Sequence, residues 1–241
     1  MFNDEIKKQH IFHIPHSSIS MPNYDGVLDT DLVDQEIIKL TDWTTDTIFE
    51  VDGIDKIRTP FSRVFCDVER FNDDSEPMNK FGRGVLYSKT EDGKKLRNIE
   101  NKNYIIEEYY NKHHNELETL VDNKLKDGNV YIIDCHSFPN EKISGEVEYK
   151  SNIRPDICIG FDINKDSSYA KTIVNYFENL GYNVMTNSPF SGSIVPLKYI
   201  NNTKVHSVMI ELNRDLYMNG DFINIRKVLK LNKEINNLFN L

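Results

Sequence analysis

The chain is poor in cysteine and in positive charge, and it has no long apolar run. Its three cysteines, Cys66, Cys135 and Cys158, form no CxxC pair and sit in apolar, strand-like surroundings. An odd number without framework spacing excludes a disulfide scaffold and a cysteine zinc knuckle. It reads as reduced, buried thiols in a cytoplasmic protein. Lys and Arg total 29 against 38 Asp and Glu, a formal net charge of -9. Non-specific nucleic-acid binding needs a basic face, so that partner class is excluded. No stretch approaches the roughly 20 apolar residues of a membrane helix. The opening MFNDEIKKQHIFHIPHSS lacks the apolar core and cleavage site of a secretory signal. There is no Pro- or Ser-rich linker, no repeat and no low-complexity tract, so the 241 residues are expected to form one domain.

What is present is an alternation of apolar runs and helical patterns. HIFHIPH (10–16) reads as a first strand closed by a histidine, and 29–50 carries helical signals with Ile37, Leu40, Ile48 and Phe49 on the buried stripe. FSRVFCDVERF (61–71) is rich in β-formers and precedes a polar loop. The longest helix is expected over 98–126, with Ile106, Tyr110, His113 or His114, Leu117 and Val121 at three- and four-residue spacing. Strands are expected at 130–135, 157–162, 205–212 and, briefly, within YNVMTN, with a loop through 153. A helix fits 167–181 and another runs from about Asp221 to the end. Such alternation predicts an α/β/α sandwich around a mixed, mainly parallel sheet.

Chemistry gathers where strands run out, which is where open α/β sheets bind ligands. His16 closes HIPH, His136 closes YIIDCH, and Glu211 follows the buried-looking run Val208, Met209, Ile210. A buried glutamate is costly unless paired or coordinated, and burial raises its pKa toward that of a useful general base. Asp42 and Asp46, in TDWTTD, are four apart and would share a helical face. Two histidines and a carboxylate make an ordinary catalytic zinc shell with one position open, but without an HExxH the spacing alone does not define one. Cys135 should point away from His136 by strand alternation, into the core. Ser137 has no base of its own and is not read as a nucleophile; it joins the candidates as a substrate-binding residue. His13, inside the first strand, reads as structural. Asp67 and Asp134 read as partners that orient a histidine or an arginine.

The segments IPHSS, TDWTTDTIF, SRVFCDVERF, YYNKHHNEL, IIDCHSFP, RPDICIGF, FSGSIVP and MIELNRDLYM occur in this order. Together they resemble the N-formylglutamate amidohydrolase family over about residues 10–220. That family resembles, distantly, the zinc carboxypeptidases and aspartoacylases, on a phosphorylase/hydrolase-like sheet. The resemblance implies that His16 and His136 ligate zinc or another divalent ion, with Asp42 completing the shell and Asp46 as the alternative. It implies that Glu211 is the general base and acid, and that Arg70 of DVERF grips the carboxylate of a small-molecule substrate. Arg63 is expected to hold a second carboxylate or polarise the scissile carbonyl. On a regular strand Arg63 and Asp67 would share a face and Arg70 would lie on the other, so Arg70 reaches the pocket only if the strand ends or bulges near Glu69. Two departures stand out: Glu69 occupies the usual place of an asparagine, and SGSIVP replaces a glycine-rich segment that ends in arginine. The implied activity is hydrolysis of N-formyl-L-glutamate to formate and L-glutamate. The rivals are a zinc carboxypeptidase or deacylase for another acyl-amino acid or peptide, and a non-catalytic binding relative.

Overall fold

The computed structural model describes residues 7–99, 101–143, 154–165 and 167–240. Six strands form one sheet: β1 (His10–Ile14), β2 (Asp55–Arg58), β3 (Val130–Phe138), β4 (Ile157–Gly160), β5 (Val184–Thr186) and β6 (Val205–Asn213). Their order is β2-β1-β3-β6-β4-β5. The first four in that order run parallel, and β4, with β5 alongside it, runs antiparallel to β6. The sheet is therefore mixed and mainly parallel, as the alternation of elements predicts.

The helices are α1 (Thr30–Leu40), α2 (Thr45–Ile48), α3 (Lys102–Ile105), α4 (Asn111–Lys124), α5 (Ser168–Asn179) and α6 (Ile225–Phe239). The period-2 alternation of β3 decides which helix lies on which face. Ile133 and Cys135 are buried against Ile173 and Phe177 of α5 and Leu231 and Ile235 of α6. Val130 and Ile132 are buried against Leu117 and Val121 of α4. Each fully buried side chain of this size contributes about 1.5–3 kcal/mol, and the two clusters close the α/β/α sandwich. Cys135 lies in the first cluster, on the side away from His136, as alternation requires.

The structure departs from the sequence reading in several places, each with a local cause. The helical stretch 29–50 is two helices. Asp29 caps α1 by accepting from Asp31 N and Leu32 N. The helix then stops where the Thr41 hydroxyl bonds back to Ile37 O at 2.7 Å and Thr44 turns left-handed at φ 58°. Ile37, Leu40, Ile48 and Phe49 are nevertheless all buried, because the break keeps both pieces against the core. The segment 61–71 is a string of turns, not a strand. Phe65 N and Cys66 N donate to Ser62 O, and Glu69 N donates to the Asp67 carboxylate, while Ser62 N and Asp67 N reach Ser20 O and Val85 O singly, without a strand ladder. Its apolar residues serve a separate cluster with Val85, Leu86, Ile105 and Ile106. The long helix begins at Lys102 and contains a π turn over Ile106–Tyr110. β1 ends at Ile14, before His16. Before α6 there is a small hairpin, β7 (Met218–Asn219) with β8 (Phe222–Ile223). Of the loop expected through 153, residues 144–153 lie outside those described.

Candidate active site

On the face that packs against α4, the strands change from apolar to titratable toward one end. β1 passes from Ile11 to His13, β3 from Ile132 to Asp134 and His136, and β6 from Val205 to Glu211. Register locks these together: His13 is the partner of Asp134, and His136 of Glu211. His16 follows β1, and the Asp42 N–H donates to His16 O at 3.0 Å, which brings the break after α1 to the same place.

His16, Asp42 and His136 thereby converge. The two imidazole rings lie 5.1 Å apart. Asp42 Oδ2 is 3.1 Å from His136 Nδ1 and 3.7 Å from His16 Nδ1. The opposite nitrogens are tethered: His16 Nε2 lies 3.0 Å from Asp67 Oδ1, and His136 Nε2 lies 3.0 Å from Asp134 Oδ1. A carboxylate only accepts, so His16 Nε2 carries a proton and, in the neutral ring, His16 Nδ1 keeps its lone pair. His136 faces a carboxylate from both nitrogens, Asp134 at Nε2 and Asp42 at Nδ1, and with no metal bound both can donate. Among the described residues His16 Nδ1 has no hydrogen-bond partner, although His16 is almost wholly buried. Glu69 reaches the same histidines, 3.1 Å from His136 Nε2 and 3.7 Å from His16 Nδ1. Two groups of ligand atoms within 4.8 Å of one another could hold a metal: His16, Glu69 and His136, or His13, Glu69 and Asp134.

The electrostatics favour a cation here. Burial alone would raise the Asp42 carboxyl, but hydrogen bonds and charge from His136 and His16 outweigh it and hold the group ionised. Asp67 is likewise kept well below the usual carboxylate range: burial is outweighed by Arg63, Arg70 and His16. For His136, burial is outweighed by Glu69 and Asp134, so the protonated ring is favoured. Glu211 behaves oppositely. Burial pushes its pKa up to about 8; His136 opposes this, while Asp42 and Glu69 add to it. Among the described residues its Oε2 has no hydrogen-bond partner.

Arg214 donates from Nη2 to Asp42 Oδ1 at 3.2 Å and from Nη1 to Lys39 O, with Nε 3.4 Å from Ser137 Oγ. It fixes the Asp42 carboxylate so that Oδ2 faces the rings. Asp46, the alternative to Asp42, stays outside: its carboxylate caps Thr47 N at 2.9 Å, and Asp42 lies in the helix break, not on a shared helical face. Arg63 and Arg70 both reach Asp67 Oδ2, at 2.9 and 3.5 Å. No strand forms here, and the turns bring both arginines to one carboxylate, which gives Arg70 the access that a regular strand would have denied it. Tyr87 OH donates to the same oxygen at 2.8 Å, a contact for which the sequence held no signal. His16, Asp42, Arg63, Glu69, Arg70, His136, Ser137 and Glu211 line one cleft of about 1210 Å³. His114 lines it too, with Nε2 2.8 Å from Val68 O, whereas His113 is buried behind it against His13.

The mixed α/β sheet gathers histidines, carboxylates and arginines in one cleft, and the family comparison places the chain in the class of amidohydrolases. The family model for N-formylglutamate amidohydrolase matches residues 9–218, and the chain belongs to that family. The crystal structure of N-formylglutamate amidohydrolase from Ralstonia eutropha JMP134 is similar in fold, with TM-score 0.81 and 18% identity over 96% of this chain and 91% of that one. A gene product of Agrobacterium tumefaciens superposes with TM-score 0.66 and 17% identity, over 98% of this chain and 92% of that one. The sequence matches no curated protein. Among the described residues no helix is long and apolar enough to cross a membrane.

Proposed function

We propose that the chain is a zinc-dependent amidohydrolase of N-acyl amino acids, with N-formyl-L-glutamate the substrate its family implies. The observation that carries this is the buried convergence of His16, Asp42 and His136, with Asp42 Oδ2 3.1 Å from His136 Nδ1 and 3.7 Å from His16 Nδ1. His16 Nδ1 has no hydrogen-bond partner among the described residues, and a divalent cation bound beside it would also take the place of the proton that His136 Nδ1 can share with Asp42. His16, Asp42 and His136 fit zinc in donor type and number, though other divalent ions accept the same set. Asp42 is favoured over Glu69 because it faces Nδ1 of both rings, while Glu69 meets His136 at the protonated Nε2.

Bound there, zinc would supply Lewis acidity and lower the pKa of a water toward neutrality. Glu211 takes the proton of the attacking water and returns it to the amine nitrogen as the C–N bond breaks, leaving formate and glutamate. A pKa near 8 suits a group that must first accept and then donate. Arg63 stabilises the developing oxyanion. Arg70 holds the substrate carboxylate: its Nε has no partner among the described residues, and its other contacts are long, at 3.4 and 3.5 Å. Ser137, beside Arg214, contributes a polar contact at the cleft wall. The three cysteines are unpaired, which supports a cytoplasmic setting.

A different acyl-amino acid or a peptide carboxyl end is a second reading. It is favoured by Asp67, which draws on both arginines, and by Glu69, which adds a carboxylate beside them. A mere binder would have no use for Glu211.

The test is zinc content by elemental analysis, native against His136→Ala, with formate release from N-formyl-L-glutamate. Near-stoichiometric zinc in the native protein alone, with turnover, is expected. Two equally metal-free samples after zinc loading would overturn the proposal.

A further inference from the structure

Behind the cleft runs a line of buried polar groups that the reaction does not use. His136 Nε2 lies 3.0 Å from Asp134 Oδ1, which lies 2.8 Å from His13 Nδ1. His13 Nε2 lies 2.8 Å from His113 Nε2, and His113 Nδ1 lies 3.3 Å from Thr59 Oγ1. Every member is buried. Strand register places His13 beside Asp134, and α4 delivers His113 from across the face.

The direction of these bonds follows from the carboxylate end. Asp134 only accepts, so His13 Nδ1 carries a proton and, in the neutral ring, His13 Nε2 accepts. His113 Nε2 must then donate, His113 Nδ1 accepts, and the Thr59 hydroxyl is its donor. Each ring then has one donor and one acceptor, both satisfied, and the array needs no extra cation. Asp134 Oδ2 is separately fixed by the Ile194 N–H at 3.2 Å.

We infer that Thr59, His113, His13 and Asp134 form a one-way hydrogen-bond array that fixes His136 in its Nε2–H tautomer and leaves Nδ1 for the metal. His13 and His113 are thus positioning residues of the metal centre. This rests on the metal reading proposed above. Outer-shell partners of a ligating histidine are worth roughly 10- to 100-fold in metal affinity, and here the partner, Asp134, is itself held by a second and a third ring. The reversed array, with Nδ1 of His13 unprotonated against Asp134 and Glu69, is the arrangement that a second cation would need.

The first test is ¹⁵N NMR of histidine-labelled, zinc-loaded native protein, which reports the protonated nitrogen of each ring. Nδ1–H on His13 with Nε2–H on His113 and His136 is expected; a doubly protonated His13, or one protonated only at Nε2, overturns the array. The second test compares zinc affinity in two variants. His13→Asn keeps a donor where Nδ1 stood, and His13→Leu removes it. Affinity about 10-fold or more weaker in His13→Leu but close to native in His13→Asn supports the array; equal affinities overturn it. Two zinc ions per native chain, one lost in His13→Leu, also overturn it in favour of a second site. Absence of zinc binding to the native protein defeats the metal reading and the inference with it. The ring protonation states, read on the same sample, then show whether the array itself exists.

Discussion

His136 and Glu211 are register partners on adjacent parallel strands, so their side chains leave the sheet on the same face. That one pairing puts a candidate general base beside a candidate ligand without help from any loop. The raised pKa of Glu211 has another cause, burial together with the nearby Asp42 and Glu69, and His136 works against it.

Replacing Glu211 by Gln keeps the shape and removes the proton carrier. The variant should fold, hold zinc as the native protein does, and lose about 10²- to 10⁴-fold in kcat. Steady-state kinetics alongside elemental analysis check this. Native turnover in the variant would falsify the general-base assignment.

The third ligand can be decided by two substitutions. Asp42→Asn should weaken zinc binding far more than Glu69→Gln, because only Asp42 faces Nδ1 of both rings. Competition with a chromophoric chelator gives both affinities, and the opposite order would give the ligand role to Glu69.

Asp67 accepts from His16, Tyr87 and Arg63 and pairs with Arg70, all in a wholly buried position. Asp67→Asn leaves two guanidinium groups without their counter-charge, and breaking a buried pair costs about 3–5 kcal/mol. Thermal unfolding should fall by about 10 °C. A loss under about 2 °C on that scale would show that the arginines find water instead.

Stability should also carry a pH signature remote from the metal. Burial pushes the pKa of Glu36 up to about 6 from an ordinary 4.5, against the opposing Glu91 N–H bond and the charges of Arg83 and Lys39. The folded state then holds a proton that the unfolded chain releases. This contribution is fully present below pH 4.5 and is lost as pH rises through 6. Its ceiling is about 2 kcal/mol, reduced by solvent screening. Glu36→Gln should therefore raise Tm by about 2 °C at pH 8 and leave it nearly unchanged at pH 4. Scanning calorimetry at the two values tests the sign, and an equal effect at both would sink it.

The readable parts of the sequence were those governed by local periodicity. Alternation in YIIDCHSF placed Cys135 in the core and His136 opposite, and helical spacing marked Leu117 and Val121 as buried. The run 61–71 misled because its β-forming residues fill a cluster under turns, and a turn brings Arg63 to Asp67 at an even offset just as a strand face was expected to. Arg70 exposed the difference. Glu69 was legible as an unusual residue, but not as a neighbour of three histidines.

The sequence by itself determined the α/β alternation and which strands carry His136 and Glu211, because strand and helix periods act over a few residues. The tertiary structure decided the rest. His16 meets Asp67 across 51 positions, His136 meets Asp42 across 94, and His13 meets Asp134 across 121. Which ring nitrogen faces which carboxylate depends on how separate segments dock in the folded chain. Local propensity carries no record of that docking, and the chemistry of the site depends on it.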